Sequence, residues 1–305
     1  MLAFLNLIRC KNLLMIALVQ LLIKYALLEP FGVQTSLGTF GISLLILSTI
    51  SIAAAGNIIN DIHDIETDFV NKPRKVIVGN AISEKTSYQL FIILNVVGVG
   101  LGYYLSLRVN RASFFSIFVM ISVLLYIYAT YLKRTFIVGN VVISVLVALS
   151  IIIVGVFELL PSITPFNQKI QLTFFKIIFD YALFAFIINL LREIAKDIED
   201  INGDYKAQMN TLPIVIGRER AKNVLKFLNF IPLVGFVFYI ISNLYKHPMA
   251  VSYFLVFVLG PLIFICIKTF GAETKKDFHQ LSQMYKWVML FGMLSLLLYK
   301  FIILN

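Results

Sequence analysis

Charge is what this chain has least of. Only 14% of its 305 residues are Asp, Glu, Lys or Arg, against 60% hydrophobic ones, where a soluble domain carries about 25% charged residues. That shortage excludes a water-soluble globular protein. Cysteine is scarce too. Cys10 and Cys266 stand at opposite ends of the chain, and neither belongs to a metal-ligand or disulfide pattern. Low-complexity segments are lacking, as is any polar stretch long enough for a soluble domain. No A-x-A-like cleavage site follows the first apolar run, so secretory processing is not expected. The net charge of +10 comes from basic residues scattered over short loops, which argues against nucleic acid as a partner.

Long apolar runs are what the chain has in quantity. About 20 residues cross the hydrocarbon of a bilayer, and runs of that order recur at 11–29, 38–60, 84–106, 112–131, 136–158, 172–195, 223–243, 249–269 and 282–302. The expected fold is all-α: a polytopic membrane protein of nine transmembrane helices. Lys and Arg set its orientation. One side carries 19 of them, from Arg9 and Lys11 through Lys276 and Lys286, and the other carries six, Arg108, Arg111, Lys169, Lys176, Lys246 and Lys300. The richer side is expected to be cytoplasmic. Lys24 falls inside the first run and is expected to snorkel to the outer interface.

The acidic residues are few and unevenly placed. Of sixteen, four fall in the window Asn60–Asp68 and four in the window Lys196–Asp204. The first holds Asp61, Asp64 and Asp68; the second holds Asp197, Asp200 and Asp204 at the same spacing, 136 residues later. Each follows an apolar run on the basic side. Similar polar continuations follow both, through Asn71-Lys72-Pro73-Arg74 to Gly79 and through Asn210-Thr211-Leu212-Pro213 to Gly217. This weak internal repeat implies that the two loops face one cavity, because membrane proteins with internal pseudo-symmetry often build their site between repeats.

Carboxylates beside a membrane span are costly unless compensated, and default to a functional site. At roughly 100° per residue, positions i, i+3 and i+7 fall within an arc of roughly 60° on a helix. Each aspartate triplet can therefore line one helix face, with Gly203 helping the second leave its helix. Magnesium suits such a face. It takes one or two carboxylates, keeps waters and bridges phosphate oxygens. The neighbouring Lys72, Arg74, Lys133, Arg134, Arg192 and Lys196 can complete a diphosphate clamp. A solvated helix end is the plainer alternative for one cluster, and a cation transporter is the alternative from another functional class. Transport sites lie near the midplane, whereas these clusters lie at one membrane face. His63 reads as a partly exposed helix-end histidine, and Glu66 and Glu199 lie outside the repeated pattern as secondary residues.

These residues carry a resemblance. Asn60-Asp61-x-x-Asp64-x-x-x-Asp68 with Asn71-Lys72-Pro73 resembles the first signature of the UbiA-type intramembrane prenyltransferases. Arg192-Glu193-Ile194-x-Lys196-Asp197-Ile198-Glu199-Asp200-x-x-Gly203-Asp204, with Thr211-Leu212-Pro213-Ile214, resembles the second. The resemblance implies one transmembrane prenyltransferase domain over 1–305, a helix bundle around a central cavity. It implies a polyprenyl diphosphate donor bound through Mg2+ held by Asp61, Asp64, Asp68, Asp197, Asp200 and Asp204, with Asn60 supporting the first cluster. An allylic cation then forms and a lipid-soluble acceptor captures it.

The second signature is similar to that of the digeranylgeranylglyceryl phosphate synthase branch, as is Arg9-x-Lys11-Asn12 near the amino terminus. Tyr128-Ala129-Thr130-Tyr131-Leu132-Lys133-Arg134, followed by Gly139-Asn140, has that branch's spacing and departs by one residue from the Tyr-x-x-x-Lys of the quinone branch. The resemblance implies ether-lipid formation on geranylgeranylglyceryl phosphate. Lys133, Arg134 and Tyr128 are expected to bind phosphate, and Asn12 and Asn140 to assist. Prenylation of a homogentisate- or naphthoate-type ring is the alternative with the same chemistry.

Overall fold

The computed structural model describes residues 1–300. Among the described residues no β-strand forms, and an isolated bridge joins Val78 to Ile82. Nine helices among them are long and apolar enough to cross a membrane: Cys10–Phe31, Thr39–His63, Glu84–Arg108, Ala112–Thr130, Val138–Ser162, Gln168–Lys206, Arg218–Leu244, Pro248–Phe270 and Lys275–Leu298. Each overlays one expected span. Continuous apolar runs take this form because a helix satisfies every backbone polar group within its own segment.

Two boundaries move for identifiable reasons. The sixth span continues without interruption to Lys206, eleven residues past its expected end. Gly203 therefore lies inside the helix and does not release the chain from it. The ninth span begins at Lys275, seven residues before its expected start. There Thr274 and Asp277 form a reciprocal capping box, which starts a helix on polar sequence that reads as loop. Positions 301 and 302 of that expected span lie outside the described residues.

The chain divides into two compact units. The first takes in Met1–Arg134 and Leu149–Ile178; the second takes in Thr135–Ala148 and the chain from Phe179 onward. The boundary runs through the fifth and sixth spans.

Within the first unit, the second and third spans approach closely. A Cβ added to Gly98 would lie 2.6 Å from Ile52 Cγ1 and 3.0 Å from the Ser48 carbonyl. Ser48 Oγ donates to the Gly98 carbonyl at 2.6 Å. Small residues of this kind allow helix backbones to meet where lipid offers no hydrophobic drive for association.

Lys24 does not snorkel. It is 1% exposed, with its Nζ 3.1 Å from Oε1 of Glu158, which is itself fully buried. Nζ also donates to Thr35 Oγ1 at 2.8 Å and to the Leu37 carbonyl at 2.6 Å. The segment after the first span supplies these acceptors and the fifth span supplies the countercharge, so the ammonium has full compensation away from the interface.

Within the second unit, Ile188, Leu191, Ile194, Ala195 and Ile198 of the sixth span join Phe278, Leu281, Tyr285 and Val288 of the ninth in one buried core. That packing fixes the rotation of the sixth helix, and with it the direction in which the second acidic segment points.

Candidate active site

The first acidic segment lies in the first unit, where the second span ends. The helix stops at His63, pauses at Asp64 (φ −98°, ψ 2°) and resumes over Ile65–Asn71. Backbone bonds continue across the pause, from Asp64 N to Asn60 O at 3.0 Å and from Asp68 N to Asp64 O at 2.8 Å. Asp61 therefore belongs to one helix, Asp68 to the next, and Asp64 to the joint between them.

Each of these aspartates has basic or amide company. Arg9 Nη2 donates to Asp61 Oδ1 at 2.6 Å. Arg9 reaches it from a left-handed backbone (φ 52°) between the helices Leu2–Leu7 and Cys10–Leu22, a conformation that costs a non-glycine residue about 1 kcal/mol. Asn60 Nδ2 donates to Asp64 Oδ2 at 2.7 Å, and Lys133 donates to the same oxygen. Asp64 is buried, at 4% exposure. Burial, then the Asp64 charge, pushes the Asp68 carboxyl above its ordinary value, while Lys133 and Lys72 pull it down.

The remaining candidates of this unit surround the cluster less closely. Tyr128, in the last turn of the fourth span, lies within electrostatic reach of Arg9. Asn12 follows Arg9, its backbone N–H bonding the Arg9 carbonyl at 2.8 Å. Arg74 and Arg134 are exposed, in the short turns Pro73–Lys75 and Leu132–Arg134. His63 is half-buried at its helix end.

The second acidic segment lies in the second unit, on the unbroken sixth helix. Asn140 Nδ2, buried near the start of the fifth span, donates to Asp197 Oδ2 at 2.7 Å. Thr211 Oγ1 donates to Asp204 Oδ2 at 3.2 Å. Arg192 and Lys196 both bond Glu193, the lysine at 2.8 Å. At roughly 100° per residue, Glu193 shares the face of Asp197, Asp200 and Asp204, so this face carries four carboxylates. Glu199 projects elsewhere and receives His279 Nδ1 at 3.0 Å.

Three of these contacts were not anticipated. Arg9 stood only in the Arg-x-Lys-Asn stretch. Glu193 offered a local signal, since Lys196 follows it at the i,i+3 spacing of a helical ion pair. His279 offered none, because its partner is 80 residues away.

The oxygen-only donor set suits a hard cation. Among the described residues, no three carboxylate, histidine or cysteine side chains converge to hold a metal ion. Carboxylate oxygens of this kind suit magnesium, which takes one or two carboxylates together with phosphate oxygens and water.

A membrane protein with nine long apolar helices among its described residues and two acidic, lysine- and arginine-flanked segments is the class that fold and site define. Residues 13–290 match the UbiA prenyltransferase family, and the chain belongs to that family. The digeranylgeranylglyceryl phosphate synthase of Methanococcoides burtonii is 30% identical over 300 residues, covering 96% of this chain and 97% of the relative. A solved structure concerned with digeranylgeranylglyceryl phosphate synthase in membranes superposes with a TM-score of 0.61 at 22% identity, covering 97% of this chain and 98% of that one. A UbiA homologue from Archaeoglobus fulgidus, solved bound to DMAPP and Mg2+, superposes with a TM-score of 0.58 at 17% identity, covering 96% and 98%. These two structural likenesses speak for the shared fold.

Proposed function

We propose that this chain, as one prenyltransferase domain, transfers a geranylgeranyl-type group from its diphosphate to the free hydroxyl of an isoprenyl glycerol phosphate. The allylic C–O bond breaks and diphosphate leaves with the electron pair. The hydroxyl oxygen then bonds the allylic carbon and its proton is lost, which leaves an ether lipid. The observation that carries this reading is the likeness to the Methanococcoides burtonii synthase over nearly the whole of both chains. The donor- and magnesium-bound UbiA homologue from Archaeoglobus fulgidus supports the choice of donor class and metal.

The roles follow from the chemistry of the residues. Asp61, Asp64, Asp68, Asp197, Asp200 and Asp204 would hold Mg2+. When bound, the metal neutralises the diphosphate and makes it a better leaving group. Lys72, Arg74, Lys133, Arg134, Arg192 and Lys196 bind phosphate oxygens as charged donors. Asn60 and Asn140 orient Asp64 and Asp197 through hydrogen bonds donated by their side-chain amides. Tyr128 and Asn12 stand beside Arg9 as further polar contacts for the donor. The apolar spans keep water from an allylic cation that it would otherwise quench. The 19-to-6 distribution of Lys and Arg supports a cytoplasmic site in the cell membrane.

The test is turnover in lipid nanodiscs with labelled geranylgeranyl diphosphate, with and without Mg2+. Geranylgeranylglyceryl phosphate and a panel of aromatic acceptors are supplied in parallel. A magnesium-dependent, acid-stable diether lipid is the expected product. A prenylated ring with ultraviolet absorbance would overturn the acceptor, and ion flux without turnover would overturn the enzyme reading.

A further inference from the structure

The sixth helix loses its apolar core contacts partway along its acidic face. Ile198 is its last residue in the buried core. The helix then runs on to Lys206 through two more turns that hold Glu199, Asp200, Gly203 and Asp204. A glycine inside a helix costs about 1 kcal/mol relative to alanine, and carboxylates crowded on one face repel one another. Thr211 Oγ1 ties their far end through Asp204 at 3.2 Å, and their near end needs a tie as well.

Glu199 is the side chain placed to make one. It lies roughly 130° round the helix from the middle of the aspartate face, at 100° per residue. Its side chain is 5% exposed and bonds His279 Nδ1 at 3.0 Å. The backbone that carries His279, whose own side chain is partly exposed, is well anchored. The residue follows the Thr274–Asp277 capping box and stands next to Phe278, which is fully buried in the shared core. The histidine thus extends the ninth span's hold on the sixth by one contact beyond Ile198.

We propose that His279 is a positioning residue, which through Glu199 holds the acidic turns of the sixth helix in order and keeps Asp197, Asp200 and Asp204 presented together. Its effect on turnover rests on the reading of those aspartates as the holders of magnesium. Its effect on helix order does not.

The experiment uses the full chain in nanodiscs and compares His279→Ala, His279→Asn, Glu199→Leu and the Ala/Leu double variant. Asparagine can place an amide N–H where Nδ1 stands. Backbone hydrogen exchange over 199–206 is read first. His279→Ala is expected to speed it several-fold in those residues, with His279→Asn close to wild type and the double variant no worse than either single. The Mg2+ concentration for half-maximal turnover is read second. It should rise several-fold in His279→Ala with the unfolding temperature little changed, and asparagine should restore it. Unchanged exchange at 199–206, failure of asparagine to restore either readout, or additive single effects would each overturn the proposal. Altered exchange with an unaltered Mg2+ requirement would reduce the pair to a structural contact and overturn it as well. If the wild type makes no product, the proposed function falls, while exchange alone still decides whether His279 orders the helix.

Discussion

Lys24 Nζ and Glu158 Oε1 lie 3.1 Å apart, 134 residues apart in sequence, with neither residue more than 1% exposed. Glu158 Oε2 also accepts the Leu37 N–H at 3.1 Å, and its carbonyl accepts the Ser36 N–H at 3.0 Å. The pair therefore fastens the segment between the first two spans to the fifth. Removing one partner of a buried pair leaves a charge without compensation, at a cost of about 3–5 kcal/mol. Lys24→Met should lower the unfolding temperature in detergent sharply. Adding Glu158→Leu should recover much of the loss, because no buried charge then remains. Equal stability of Lys24→Met and wild type would show that the pair contributes nothing.

Asp64 accepts from both Asn60 and Lys133, and Asp197 accepts from Asn140. Asp64→Asn and Asp197→Asn keep size and hydrogen-bonding capacity but remove charge. Each should reduce initial rates about 100-fold or more, the scale seen when an electrostatic contact to a developing charge is lost. Elution volume and unfolding temperature should stay near wild type. Rates close to wild type in either variant would remove these carboxylates from the reaction.

Arg9 is predicted to matter as much as several signature residues. Its bond to Asp61 is 2.6 Å long, and hydrogen bonds to charged groups are worth about 1.5–3 kcal/mol. Arg9→Met should therefore slow turnover by about 10- to 100-fold. Arg9→Lys should restore only part of it, since an ammonium lacks the planar fork of guanidinium. Steady-state rates at saturating donor test this.

Gly98 should resist even a methyl group. The added Cβ meets Ile52 and the Ser48 carbonyl at 2.6 and 3.0 Å, and overpacking of this kind costs about 1–3 kcal/mol. Gly98→Ala should lower the unfolding temperature. Gly100→Ala should not, because open space surrounds the place its Cβ would take.

The nine spans were legible because apolar length alone defines them, and the two acidic segments because their spacing repeats. Contacts that close over long sequence distances were not. Nothing near Lys24 announces Glu158, so its surroundings suggested an interface. Nothing near His279 announces Glu199. Gly203 reads as a helix exit, yet the chain stays helical to Lys206, and along it Ile198 packs in the core and Asp197, Glu199 and Asp204 each find a partner. The pause at Asp64 was equally hidden: the sequence there is as helix-compatible as its counterpart at Asp200, and only the structure separates them.

The sixth helix is 39 residues long, about 58 Å at 1.5 Å per residue, nearly twice the ~30 Å of bilayer hydrocarbon. From Phe179 onward this helix belongs to the second unit, where it joins the buried core to the acidic turns. On the proposed function, its length sets how far Asp197, Asp200 and Asp204 stand from the acyl chains. On that same reading, turnover in nanodiscs of short-chain and long-chain lipids should therefore differ, because the acyl chains set where the donor's diphosphate lies relative to those aspartates.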